Sequence, residues 1–371
     1  MISVDISNSV TSIGSYAFQN CVNLKEAILP NSILEIKENS FEGCSSLLSI
    51  DMSNCNISSI SSDAFAHCEK LTSVFLPTTK SYSIGKRAFA YCAYLHEIDL
   101  EGTVSIGDEA FIGCSRISEI TIPASCSNIG NGVFDYTGLK RVIINSGDKL
   151  TIGHSRIISL GNTITPFPNP SDVDEKRTGF RNGYYYGLFY GLPIEHLVIN
   201  RDIELSKYYE RVIGQSASFY TTVYNDIIYY PPFYGLTKLK SVEIGENVST
   251  ICKNKIEAVV NAAPTTMDYT NFGKCNNIET VTSKNPNAPI GGGFTDYVYK
   301  NAILNLPNGG KESYNTDEYW KNFSNIQTGI INIRDNIMPI DQENVYDLHG
   351  RKLNKLQKGI NIVNRKKVLM K

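Results

Sequence analysis

Ile84-Gly85-Lys86-Arg87-Ala88-Phe89-Ala90-Tyr91-Cys92-Ala93-Tyr94-Leu95-His96-Glu97-Ile98-Asp99-Leu100 decides how this chain folds, because its spacing recurs. Phenylalanines stand at Phe18, Phe41, Phe65, Phe89, Phe111 and Phe134, 22 to 24 residues apart. Five residues before each comes an isoleucine: Ile13, Ile36, Ile60, Ile84, Ile106 and Ile129. Three residues after the first five comes Cys21, Cys44, Cys68, Cys92 or Cys114, and three further on Leu24, Leu47, Leu71, Leu95 or Ile117. Self-similarity at a fixed period of this length marks a repeat architecture.

The end of each unit, Leu-x-x-Ile-x-Leu in the quoted copy, alternates its last apolar residues as a short half-buried strand does. A unit of this size cannot bury its apolar face alone. Stacked units share one core and contribute one parallel strand each. The phenylalanines then form an internal spine and the cysteines a second column, where a small buried thiol suits a tight turn. That column has no paired Cys-x-x-Cys and no accompanying His, so core packing is favoured over a metal site or a disulfide set. Cys55, Cys126 and Cys252 lie outside it and stay open.

Past residue 144 the repeat persists in looser form at Phe189, Phe233 and Phe272, with phenylalanine gaps of 55, 44 and 39. Extra residues therefore enter at about 145–185, 200–228 and 252–268, as insertions that usually map to loops on one face. The stretch 294–326, with Tyr314, Trp320 and Phe323, is expected to cap the last apolar layer. Residues 327–371 leave the pattern and are expected to form two or three short strands with Gly-marked turns. The expected organisation is a solenoid over 1–326 (regular to 144, insertion-rich over 145–293, cap after that) and a β-rich tail over 327–371.

The pattern Ile-Gly-x-x-Ala-Phe-x-x-Cys-x-x-Leu-x-x-Ile-x-Ile-Pro, present again from Ile106 to Pro123, resembles the BspA-like leucine-rich repeats, the type also found in a treponemal surface antigen. The resemblance covers about residues 1–325. It implies an α/β-type leucine-rich-repeat solenoid of about nine repeats, secreted or on the cell surface. It further implies adhesion to host matrix proteins or other cells. The tail, with Tyr346-Asp347-Leu348-His349-Gly350-Arg351 and Lys358-Gly359-Ile360-Asn361-Ile362-Val363, resembles sorting-type tails of exported Bacteroidetes proteins. No signal peptide is visible. Because Val4-Asp5-Ile6 reads as the strand of an earlier repeat, that absence carries no information about compartment.

Composition narrows the partners. Formal net charge is −2, against nucleic-acid binding by the chain as a whole. The balance is uneven: of 35 basic residues, eight lie in 351–371 without one acid, leaving 27 against 37 acidic residues elsewhere. Those eight read as solvated hairpin ends, or as contacts to an anionic surface. No apolar run is long enough to span a bilayer.

No catalytic or cofactor motif stands out. His67, His96, His154, His196 and His349 share no pattern and read as ordinary exposed histidines; Gly291-Gly292-Gly293 reads as a flexible turn rather than a phosphate cradle. The outward strand positions carry paired carboxylates, but Asp51 and Asp99 fall two coils apart with Phe75 between, about 10 Å from each other, on a flat ladder rather than in a cleft. Tyrosine is the informative residue: 11 of 22 lie within 184–234. Tyr184, Tyr185, Tyr186, Tyr208, Tyr209, Tyr220, Tyr224, Tyr229 and Tyr230 are the candidate partner-binding residues, since tyrosine offers amphipathic area at low entropic cost. Covering the solenoid flank is the competing use, above all for Tyr190 and Tyr234. The expected function is non-catalytic binding or adhesion to a protein or glycan ligand without metal or cofactor. The alternatives are a glycan-binding accessory protein and, further off, a polysaccharide hydrolase.

Overall fold

The strand predicted after each Leu forms, and it stacks in parallel register with its neighbours. Ser3–Asp5, Glu26–Ile28, Ser49–Asp51, Ser73–Phe75 and Glu97–Ile98 make one run. Glu119–Ile122, Arg141–Ile144, His196–Ile199, Ser241–Ile244, Thr280–Ser283, Ile303–Leu306 and Asn325–Thr328 make a second. The computed structural model describes residues 2–78, 80–160, 163–166, 182–206, 226–252, 255–260, 263–268, 270–329, 345–346, 352–353, 359–363 and 366–370. In the strands at 156–160, 163–166, 182–185, 226–229, 255–260 and 263–268, and in those beyond 329, backbone pairing alone is described.

Each regular coil also holds a second short parallel strand, which the one-strand reading missed. It contains the Ile that precedes Phe, as in Glu35–Ile36, Ser59–Ile60, Tyr82–Ile84 and Thr103–Ile106, within an eight-stranded sheet reaching from Ser12–Ile13 to Ile203–Leu205. Two strands of two to four residues look like isolated apolar positions in sequence. Only the neighbouring coil supplies their hydrogen bonds. Helix is confined, among the described residues, to Asp296–Asn301, Lys311–Thr316 and one 3-10 turn at Trp320–Asn322.

The phenylalanine spine is continuous. Nine successive ring pairs, from Phe18–Phe41 to Phe272–Phe294, are stacked with centroids 4.6–6.2 Å apart. Every ring beyond Phe18 is buried, and each contributes about 2–3 kcal/mol through the apolar area it hides. In the regular coils the backbone turns around each Phe through two left-handed residues, two before and two after it. Asn39 and Gly43 (φ 55° and 72°), Asp63 and His67, and Arg87 and Tyr91 are such pairs. In the coils of Phe189, Phe233 and Phe272 only the later one persists, at Gly191, Gly235 and Lys274, because an inserted strand enters where the earlier turn stood.

The insertions are strands rather than loops alone. His154–Leu160, Thr163–Pro166, Asn182–Gly187, Asp226–Tyr229, Lys255–Val260 and Ala263–Asp268 pair into one six-stranded sheet. The reason is where they leave the coil. Phe follows the second-ladder residue by five positions in regular coils, by 37 from Ile152 to Phe189 and by 28 from Leu205 to Phe233. The third insertion likewise leaves between Ile251 and Phe272. Three insertions starting at one point of adjacent coils lie side by side, so their backbone groups satisfy one another.

At the far end the spine changes geometry. Phe294 meets Trp320 edge-on at 5.5 Å and Phe323 at 5.2 Å. The Trp320 indole N–H donates to the Pro289 carbonyl (2.8 Å), and the Tyr314 hydroxyl donates to Ser283 Oγ (2.6 Å). Gly291-Gly292-Gly293 is therefore a packed element and not the flexible turn expected: a Cβ on Gly292 would stand 2.2 Å from the Trp320 ring. Residues Met1–Gly329 form one compact unit and Ile330–Lys371 another. In the second, Val345–Tyr346, Lys352–Leu353, Gly359–Val363 and Lys366–Met370 form a four-stranded antiparallel sheet, more strands than sequence reading anticipated.

Candidate binding surfaces

The tyrosine-rich region yields a stack. Asn182–Gly187 and Asp226–Tyr229 run parallel, with Tyr185 opposite Tyr229, and the next residues, Tyr186 and Tyr230, stack at 5.2 Å. Tyr186 also stacks on Tyr190 (3.7 Å) and Tyr230 on Tyr234 (4.3 Å). The Lys274 ammonium lies 5.5 Å from the Tyr234 ring centre. Tyr190 and Tyr234 belong to solenoid coils, Tyr186 lies in an insert strand and Tyr230 directly follows one, so the stack fastens the insert sheet to the solenoid. Burial, then the neighbouring phenols, push the Tyr190 hydroxyl up to about 12. The four rings are half-buried. Their faces are spent on one another, so rims and hydroxyls are what they offer a ligand, and a sugar seeking a flat ring face finds little here. Tyr184, Tyr185 and Tyr229 occupy insert strands, while Tyr208, Tyr209, Tyr220 and Tyr224 lie outside the described residues.

The cysteine column is structural. The thiols of Cys44, Cys68, Cys92 and Cys114 donate to the carbonyls of Phe18, Phe41, Phe65 and Phe89, each one coil back, at 3.1–3.2 Å. Cys275 donates to Phe233 in the same way (3.2 Å). Burial pushes Cys114 and Cys275 up to about 12. All nine cysteines lie among the described residues, and none forms a disulfide; Cys55, Cys126 and Cys252 are buried.

Two polar residues mark the joint between the regular and insertion-rich coils. Arg201 is buried, and its guanidinium donates to the carbonyls of Pro123 (2.8 Å) and Cys126 (2.6 Å), with longer contacts to Ala124 and Asp148. It thereby ties its own coil to turns of the two before it. His154 is buried, against the expectation of an exposed histidine, and burial lowers its pKa to about 4. Neither was visible in sequence, because nothing local distinguishes a buried Arg or His in a segment that breaks the repeat. His67 is exposed and stacks on Tyr91 (4.9 Å), His96 is exposed, His196 hydrogen-bonds Ser241 Oγ (2.8 Å), and His349 lies outside the described residues. Among the described residues no group of three His, Cys, Asp or Glu side chains is placed to hold a metal ion.

The first ladder turns inward and outward as its alternation predicts. Ala27, Ile50, Val74, Ile120 and Val142 point into the core. Outward stand Lys25, Glu26 and Ile28; Leu48, Ser49 and Asp51; Thr72, Ser73 and Phe75; His96, Glu97 and Asp99; Ser118, Glu119 and Thr121; and Lys140, Arg141 and Ile143. In the later coils this face carries cross-coil ion pairs, Lys240–Glu195 (2.6 Å) and Lys284–Glu243 (2.5 Å). Among the described residues no helix is long and apolar enough to cross a membrane.

A solenoid of stacked two-strand coils with a Phe spine and a Leu/Ile core is a leucine-rich-repeat protein. Its repeats within residues 1–163 are similar to the BspA type: six copies of the model described as "BspA type Leucine rich repeat region" match residues 1–105 and 56–163. No curated protein sequence matches the chain. Among solved structures it is similar to a leucine-rich repeat protein from Bacteroides ovatus ATCC 8483, at 17% identity over 89% of this chain and 84% of that one (TM-score 0.37). It is also similar to a leucine rich cell surface protein from Faecalibacterium prausnitzii A2-165, at 18% identity over 89% and 79% (0.38). A third is the pneumococcal vaccine antigen PcpA, at 16% identity over 89% of each chain (0.37).

Proposed function

We propose that this protein is a non-catalytic binding scaffold, secreted or held at a cell surface, that adheres to matrix proteins or to other cells. One observation carries the reading. Inward positions stay apolar coil after coil, whereas outward positions range over acidic, basic, polar and apolar residues along the ladder. A rigid inner frame with unconstrained outer side chains is what a binding ladder needs, because affinity then comes from a few anchors on a surface already ordered before contact. The BspA-type match supports the surface location. The tyrosine-bearing inserts, with Tyr184, Tyr185, Tyr186, Tyr208, Tyr209, Tyr220, Tyr224, Tyr229 and Tyr230, are proposed as part of the contact surface.

The test is binding of the intact chain to arrays of matrix proteins and glycans, beside a variant lacking residues 200–228. Saturable binding lost on deletion, with circular dichroism unchanged, supports the insert as the contact surface. Binding that survives moves it to the ladder. No saturable binding on any array overturns the adhesive reading.

A further inference from the structure

The first ladder carries its largest exposed apolar side chains together, in three consecutive coils: Ile28 (52% exposed), Leu48 (49%) and Phe75 (53%). Strand register extends this into a pattern. Asp5 pairs with Ile28, Asp51 with Phe75, and continuing the same registers sets Asp51 beside Ile28 and Asp99 beside Phe75. One column therefore reads Asp5, Ile28, Asp51, Phe75, Asp99, carboxylate alternating with apolar group. All five are exposed. Among the described residues none of the three carboxylates is in an ion pair; Asp51 and Asp99 each accept only a local backbone N–H, from Ser53 (2.9 Å) and Glu101 (3.0 Å). Glu26 and Glu97 stand in the neighbouring outward column, with Ser49 and Ser73 between them. The inserts leave the coil elsewhere, between the second ladder and the Phe turn, so they do not originate on this column.

The spacing selects a partner. Spine rings in these coils are 5.0–5.4 Å apart, so carboxylates two coils apart are separated by about 10 Å. An extended polyproline-type chain advances about 9.3 Å in three residues. We infer that this column binds an extended polypeptide segment carrying Lys or Arg at every third position with apolar side chains between, laid across the strands. The cations answer Asp5, Asp51 and Asp99, and the apolar side chains cover Ile28 and Phe75. Separated carboxylates would also disfavour a densely acidic partner. The inference rests on the binding reading above and names a second surface and the chemistry it takes.

The test uses the full chain and a labelled peptide of four Lys-Pro-Leu repeats. The control has the same composition with its lysines consecutive. Fluorescence anisotropy is expected to show saturable binding of the repeat peptide, about tenfold tighter than the control. Phe75→Ser and the double variant Asp51→Asn with Asp99→Asn should each weaken it at least about tenfold, with melting curves confirming that these exposed changes leave the fold intact. Deletion of residues 200–228 should leave it unchanged. Equal binding of both peptides, abolished by salt alone, or affinity indifferent to Phe75→Ser, overturns the inference. Array binding retained by the ladder variants, without peptide binding, sinks this inference and leaves the adhesive reading standing. Failure of both arrays and peptides sinks both.

Discussion

Residues 1–144 and 145–293 share an inner surface and differ in nearly everything outside it. Both halves place a buried Phe in one column, with rings 5.0–6.2 Å apart in the first and 4.6–5.9 Å on from Phe134 through Phe189 to Phe294. The first half closes each coil in 22 to 24 residues, whereas the second spends up to 55. Coil length is thus free and the column is not. A residue in the spine must meet its counterpart one coil away, while a segment leaving and rejoining at the same point perturbs neither. Loop closure entropy grows only slowly with length, so long insertions are tolerated provided their exit point is fixed.

The largest test of that equivalence is the spine itself. Phe111→Ala and Phe233→Ala should each cost about 3–5 kcal/mol in chemical denaturation, through lost transfer energy and the cavity left behind. A much smaller loss at Phe233 would mean that the insertion-rich half is not held by the same column.

The joint between the halves should respond to acid. His154 has its pKa lowered to about 4 by burial, against 6.5 when exposed. Between those values the unfolded chain binds a proton that the folded one refuses. Stability should therefore fall as pH drops from about 6.5 to 4, by on the order of 3 kcal/mol, with no contribution above that window. Replacing His154 by Gln should flatten that part of the pH profile; an unchanged profile would assign the acid response to other groups.

Arg201→Met removes the tie across three coils and strips the carbonyls of Pro123 and Cys126 of their donor. A loss of about 2–3 kcal/mol is expected, the penalty for buried acceptors left unmade. Hydrogen exchange should show that loss concentrated at 123–126 and 148–152 rather than in the first coils. Uniform loss along the chain would make the whole array one cooperative unit.

The smallest effect is chemical. With buried thiols held protonated, a thiol reagent at neutral pH should label Cys21 first, the one cysteine that is only half-buried. The other eight should wait for unfolding. Rapid labelling of Cys275 but not Cys92 would show the insertion-rich half opening on its own.

Periodicity alone was enough for the spine, the cysteine column, the first ladder and its outward residues, because a stacked repeat places equivalent positions in contact and a sequence displays equivalence directly. Ile13, Ile36 and Ile60 were legible as a column but not as strands, since runs of two or three residues carry no period of their own. The insert sheet was hidden for a related reason. Its strands belong to different coils, although the lengthened step from Ile152 to Phe189 and from Leu205 to Phe233 was open to measurement.

What only the tertiary structure decided is whatever depends on groups distant in sequence and not repeated. Arg201 finds carbonyls more than fifty residues away. Gly292 makes room for Trp320. Tyr186 and Tyr230 spend their faces on neighbouring tyrosines. A repeat announces its own contacts because one interaction is written many times; a contact made once leaves no pattern, and folding must bring its two halves together before it can be read.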